Sequence, residues 1–120
     1  MLKISETQLQ AFERQQAESF TLRVAAFLKV QFPEYRSLPQ AQMIPAIDQF
    51  IARATSYELE TEREIIAFVL AAHYLGGDFD TKNLSCKTVL KDSSRAPEWK
   101  ANWLEAMALI IEGKREKGEL

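Results

Sequence analysis

The sequence contains a single cysteine, Cys86, and no long run of hydrophobic residues. One cysteine cannot form a disulfide within the chain, which agrees with a reducing compartment. No stretch reaches the roughly 18 apolar residues that a membrane-spanning helix needs. The first ten residues, MLKISETQLQ, lack the basic region and apolar core of a secretory signal. These absences predict a cytoplasmic protein.

An excess of one charge and a β-strand pattern are also absent. The 15 Lys and Arg residues nearly balance the 17 Asp and Glu residues, for a net charge of −2. Nothing therefore favours phosphate binding, and no nucleic-acid partner is expected.

No alternating run of Val, Ile or Thr is flanked by hairpin turns. The 120 residues, 47% hydrophobic, are enough for one core without disulfides or metals, and we predict a single all-α domain over residues 1–120.

The strongest helix pattern lies between Thr61 and Asp80, in TEREIIAFVLAAHYLGGDFD. Thr61 and Glu64 have the spacing of a capping box, in which each side chain accepts a hydrogen bond from the other residue's backbone N–H. The residues that follow leave almost no polar face, which indicates a helix covered by others nearly all round. Gly76 and Gly77 can adopt the left-handed conformation that ends a helix. We predict that this helix is central to the fold.

An N-terminal helix is predicted from about Glu6 to Gln31. Its start in ISETQL, residues 4–9, combines the spacings of a capping box and a hydrophobic staple. It ends before Pro33, because the residue that precedes a proline is disfavoured in helical geometry. The apolar positions keep to one side of a 3.6-residue repeat: Leu9, Phe12, Phe20, Val24, Phe27 and Leu28.

A second helix is predicted from Pro39 to Thr55. Ser37 and Gln40 repeat the capping-box spacing, and Pro39 in the first turn loses no hydrogen bond. Pro45 is expected either to kink this helix or to delay its start. The apolar stripe is Met43, Ile44, Ile47, Phe50, Ile51 and Ala54.

Two further helices are predicted after the glycines. A short one is capped by Asn83 or Ser85 and runs to about Leu90. A long one begins at Pro97, and residues 113–120 form a polar tail that we expect to fray. The apolar set of the long helix is Trp99, Trp103, Leu104, Met107, Ile110 and Ile111. The predicted fold is a helical bundle of four main helices and one short helix.

Residues suited to catalysis or metal binding are few. His73, the only histidine, lies among apolar residues and is interpreted as a packing residue. The alternative is a catalytic pair in which Cys86 is the nucleophile and His73 the base. The sequence does not indicate an Asn or Asp as the third residue of such a triad. No phosphate-binding glycine loop or nucleophile elbow is present. The sequence predicts no enzyme, no metal and no cofactor.

Asp78, Phe79 and Asp80 form an acidic, aromatic corner after the glycines. Calcium binding is not favoured, because Lys82 and Asn83 stand where a calcium loop needs further oxygen ligands and a glycine. Two carboxylates just past a helix C-terminus oppose its dipole. We therefore expect them either to accept backbone N–H groups in the turn, the favoured interpretation, or to contact a partner.

A dense acidic stretch leads into the central helix, with Glu58, Glu60, Glu62 and Glu64 at every second position. Stabilisation of the helix start is the favoured interpretation. The alternative is a contact surface for a protein partner. Because Glu64 is assigned to the capping box, the other three glutamates are left to face that partner.

Several short segments resemble a pattern found in small bacterial helical proteins encoded beside type VI secretion spike and effector genes. They are Phe32-Pro33-Glu34, Arg53-Ala54, Ser56-Tyr57, Glu62-Arg63-Glu64, Leu75-Gly76 and Asp78-Phe79-Asp80. In that family an Arg-Ala pair precedes Tyr-Gly-Ile, a Ser-x-Glu-Arg helix start and a Gly-x-x-Phe-Asp corner. Here Glu58-Leu59 replaces Gly-Ile, and Leu84-Ser85-Cys86 occupies the region where the family has a tryptophan.

The resemblance, which spans residues 27–90, implies a non-enzymatic protein that binds a toxin or its delivery machinery. As an adaptor or chaperone, it would hold a secreted effector, or bind the delivery spike, before loading. The alternative is an immunity protein that masks the active site of a cognate toxin. Under either hypothesis the candidate contact residues are Glu58, Glu60, Glu62, Asp78, Phe79 and Asp80.

Overall fold

The computed structural model describes residues 6–118, apart from the side chains of Glu6 and Phe12. Within these residues all regular structure is helical, which confirms the all-α class. A single 3₁₀ turn at Pro33–Tyr35 follows the first helix. The α-helices are α1 (Glu6–Gln31), α2 (Gln40–Ser56), α3 (Glu62–Leu75), α4 (Phe79–Lys82), α5 (Leu84–Lys91) and α6 (Pro97–Glu116).

The five predicted helices correspond to α1, α2, α3, α5 and α6, and the single turn α4 was not predicted. Helix α2 begins at Gln40 and continues through Pro45, so this proline does not delay its start. The predicted tail was partly wrong, because α6 continues past Gly113 to Glu116. The start signals of α1 at residues 4 and 5 lie outside the described residues.

The contacts of the chain group into two compact units, Met1–Asp48 and Gln49–Leu120, with the boundary inside α2. The single domain expected over residues 1–120 stays a prediction.

In the first unit, the described side chains of α1 that are buried all lie in its second half. Val24, Ala25 and Leu28 are buried, whereas every described side chain from residue 7 to residue 18 is exposed. Among the members of the predicted stripe whose side chains are described, only Val24 and Leu28 are buried, and Leu9 is 46% exposed. The Thr21 hydroxyl donates a hydrogen bond to the Asp48 carboxylate at 2.7 Å.

In the second unit, α3 has the start that its sequence predicts. The backbone N–H of Glu64 donates to the Thr61 hydroxyl at 3.2 Å, and the Glu64 carboxylate accepts from the backbone N–H of Thr61 at 3.2 Å. Gly76 ends the helix at φ 109° and ψ 152°, a positive φ but outside the left-handed helical region that we predicted. The buried side of α3 is Ile65, Ala67, Phe68, Val69, Ala71 and Ala72.

Helix α6 packs on α3 through a narrower face than predicted. Its buried residues are Lys100, Ala101, Leu104 and Ala108. Of the six apolar residues predicted to form its core face only Leu104 is buried, while Trp99 is 38% and Ile110 is 54% exposed. The small side chains of Ala101 and Ala108 allow α3 to approach closely, which decides the face that is covered.

The turn between α2 and α3 is held by a Schellman motif. The backbone N–H of Leu59 donates to the Ala54 carbonyl at 3.1 Å, and that of Glu58 donates to the Thr55 carbonyl at 2.9 Å. Leu59 and Ala54, the hydrophobic pair of the motif, are both fully buried. Glu58 occupies the left-handed position at φ 72°, where glycine is preferred.

Replacing Glu58 by glycine is expected to stabilise the protein. A non-glycine residue in the left-handed region costs about 1 kcal/mol, so Glu58→Gly should raise the free energy of unfolding by about that amount. Chemical denaturation measures the change. Glu60→Gly is the matched control, since it removes the same charge from an exposed position without a positive φ, and it should not stabilise. If Glu58→Gly and the wild type were equally stable, the positive φ of Glu58 would not strain the backbone.

Candidate functional site

The acidic segment, residues 58–62, projects three glutamates from a well-anchored turn. Glu58, Glu60 and Glu62 are exposed, while Leu59 between them is completely buried. The backbone N–H of Glu60 donates to the Glu64 carboxylate at 3.0 Å, so the segment is held at both ends. Burial opposes the ionisation of Glu64, but the backbone N–H groups of Glu60 and Thr61 outweigh it and lower its pKa. Glu64 is therefore committed to the helix start, as predicted.

A groove of about 340 Å³ lies beside the acidic segment. Its wall combines the C-terminal end of α2, the end of α5 and one residue of α6. The lining residues are Ser56, Tyr57, Glu58, Leu90, Lys91, Ser93 and Lys100.

Lys100 lies at this groove and is only 2% exposed. Its ammonium donates to the Leu90 carbonyl at 2.8 Å and to the Tyr57 carbonyl at 3.4 Å. One lysine thereby ties the ends of α2 and α5 to α6. Lys100 was not predicted to be buried, although its spacing of four and eight residues from Leu104 and Ala108 places all three on one helix face.

Of the corner residues 78–80, Asp78 lies at the surface, whereas Phe79 and Asp80 lie in the core. Phe79 is 1% and Asp80 is 3% exposed, so neither presents the contact surface that we predicted. Asp78 is exposed, and its carboxylate pairs with Lys82 at 2.8 Å. The hydrogen bond from Lys82 lowers the pKa of Asp78. Of this corner only Asp78 remains a candidate contact residue.

Asp80 joins a buried cluster and does not cap the turn, which corrects the favoured prediction. The Arg53 guanidinium forms an ion pair with Asp80, and the Tyr57 hydroxyl donates to the same carboxylate at 2.9 Å. Burial and then this hydrogen bond raise the pKa of Tyr57 to about 12. Arg53 also lies 5.6 Å from the ring centre of Phe68, whose own ring is 4.9 Å from that of Phe79. The cluster links α2, α3 and α4.

The two residues considered for catalysis have different environments. Cys86 is fully buried, and burial followed by the charge of Asp80 raises the pKa of its thiol to about 11. A thiol with this pKa is almost entirely protonated at neutral pH and is a poor nucleophile. His73 is partly buried, with its ring 4.9 Å from that of Tyr74.

Within residues 6–118, no three His, Cys, Asp or Glu side chains come close enough to hold a metal ion. The helices of this part of the chain also include none with the length and hydrophobicity of a bilayer span. No protein-family model, curated protein or solved structure matches the chain.

Proposed function

We propose that this protein is a non-enzymatic binding module that recognises a basic protein partner through its acidic segment. The observation that carries the proposal is the exposure of Glu58, Glu60 and Glu62 on a turn fixed by the Schellman motif and the capping box. A turn held at both ends presents its charges without a large loss of conformational entropy on binding. Exposed carboxylates of this kind steer a positively charged partner during association.

The resemblance to proteins encoded beside type VI secretion genes supports a toxin effector or a spike component as the partner. Its Arg-Ala and Phe-Asp elements correspond to Arg53 and Asp80, which form an ion pair here. Its Tyr-Gly-Ile element places glycine where Glu58 has a positive φ. We propose that the protein acts as an adaptor or chaperone in the bacterial cytoplasm, where it holds the effector before loading.

Reversal of the three glutamates provides the test. The variant Glu58→Lys/Glu60→Lys/Glu62→Lys should fold normally and associate with the effector encoded beside its gene about tenfold more slowly at low salt. The difference should shrink near physiological ionic strength, because the Debye length falls to about 8 Å. Surface plasmon resonance at two salt concentrations measures both rates.

The matched control reverses three exposed glutamates of the first unit, Glu13, Glu18 and Glu34. It changes the net charge equally, so it separates the acidic segment from a general charge effect. Equal association rates for the two triple variants at low salt would overturn the proposed surface. The activity of the bound toxin separates the two roles, since an adaptor leaves it active after release whereas an immunity protein blocks it in the complex.

A further inference from the structure

Helix α6 has a second hydrophobic face, opposite the face that packs on α3. Ile110 is 54% and Trp99 38% exposed, and Leu109 at the edge of this face is 66% exposed, whereas Leu104 and Ala108 on the other face are buried. Large apolar side chains exposed together along one helix are typical of an interaction surface. The face lies on the side of α6 away from Lys100, which lines the groove beside the acidic segment.

The spacing along this face is that of a helix-pairing seam. From Trp99 to Gly113, successive positions are separated alternately by four and three residues, which gives an average repeat of 3.5. A repeat of this length keeps one stripe directed at a second helix over the 20 residues of α6. The seam consists of Trp99, Trp103, Ala106, Ile110 and Gly113 of α6 and of Lys117, which directly follows the helix.

We propose that the seam pairs with the seam of a second copy of this chain, antiparallel about a twofold axis that crosses the seam at the level of residue 108. In this register Trp103 of one copy lies opposite Gly113 of the other, and Ala106 lies opposite Ile110. Each large side chain then meets a small one, as close packing requires. A parallel pair would instead place Trp103 against Trp103 and Gly113 against Gly113, which creates a clash and a gap. The seam is self-complementary only in the antiparallel orientation.

Gly113 provides an independent argument for a closely approaching helix. It lies within α6 without a positive φ, and a Cβ added there would meet no atom within 4 Å. The packing of the described chain therefore does not require glycine at this position, although glycine weakens a helix interior. A helix that approaches at Gly113 accounts for its small size.

The charges at the ends of the seam also favour the antiparallel pair. Lys117 of one copy lies level with Trp99 of the other and beside its Glu98, and both glutamate and lysine are exposed. The twofold axis repeats this opposite-charge contact at the other end. The two helix dipoles then run in opposite directions, which is favourable.

An exchange of side chains across the seam tests the proposal in the full chain, with sedimentation velocity over a concentration series. The wild type should dimerise, and Ala106→Ile should raise the dimer dissociation constant about 30-fold by placing two isoleucines opposite each other. The double variant Ala106→Ile/Ile110→Ala restores a large residue opposite a small one and should recover most of the affinity. Leu84→Glu, at a 76% exposed leucine outside the seam, is the control and should dimerise normally.

Disulfide cross-linking tests the orientation. The double variant Ala106→Cys/Ile110→Cys places its two substituted positions opposite each other across the seam and should form intersubunit disulfides under mild oxidation. Lys117→Cys should not, because antiparallel pairing separates the two copies of this residue by about 27 Å, or 18 residues at about 1.5 Å each. A monomeric wild type at sub-millimolar concentration, or a dimer unaffected by Ala106→Ile, would overturn the proposal. Efficient cross-linking of Lys117→Cys would overturn the antiparallel register. None of these measurements involves the effector, so they are independent of the proposed function.

Discussion

Val69→Asp is expected to destabilise the protein by about 4 kcal/mol, because it places an unpaired carboxylate in the core. Val69 is 3% exposed on the central helix α3, among side chains that offer mainly apolar surface. Chemical denaturation should show a lower midpoint, and circular dichroism should show loss of helix at a lower temperature.

Leu70→Asp is the matched control for this substitution. Leu70 is the next residue of α3 and is only partly buried, so a carboxylate there can reach water. Its destabilisation should be less than half that of Val69→Asp. If the two variants were equally stable, the side of α3 that faces the core would differ from the one described.

Arg53→Met is expected to cost about 3 kcal/mol, since removing one partner of a buried ion pair leaves the other charge uncompensated. The value is at the low end of the usual range because the Arg53 side chain is 34% exposed, whereas that of Asp80 is 4% exposed. The control is Arg63→Met at the ion pair with Glu105, whose side chains are 48% and 37% exposed. A surface pair of this kind contributes less than about 1 kcal/mol.

A second variant shows whether the buried charge is the cause. Arg53→Met/Asp80→Asn keeps an acceptor for the Tyr57 hydroxyl but removes the unpaired carboxylate. This double variant should be more stable than Arg53→Met alone in a urea titration. A double variant as unstable as the single one would indicate that Arg53 acts mainly through its packing on Phe50 and Phe68, whose ring centres lie 5.2 and 5.6 Å away.

The sequence predicted the helices well, because the signals that start them are local. Thr61 and Glu64 are three residues apart, and the structure contains the capping box that this spacing indicates. Asn83, one of two predicted caps, accepts a hydrogen bond from the backbone N–H of Cys86 at 3.1 Å. Pro97 begins α6 as expected. In each case the signal involves only residues within one helical turn of the helix start.

The candidate site was predicted only in part. The exposure of Glu58, Glu60 and Glu62 agrees with charged residues in a turn between two helices. The placement of Phe79 and Asp80 on the surface was wrong, because the partners that bury them lie far away in the sequence. Arg53 and Asp80 are 27 residues apart, and no periodicity or cap signal connects them.

By itself the sequence determined the all-α class, most helix ends and the strongly apolar character of α3, since these follow from hydrogen bonding and side-chain periodicity within a few residues. Only the tertiary structure decided which face of α6 is covered. That helix has one face with Leu104 and Ala108 and another with Trp99 and Ile110, and the second is the more hydrophobic in sequence. The first is buried, with Lys100 included, because α3 can approach the small alanines and because the ammonium finds two backbone carbonyls there. Which face of a helix is buried depends on the side chains and backbone groups of the element that packs against it. The residue pattern along one helix does not contain that information.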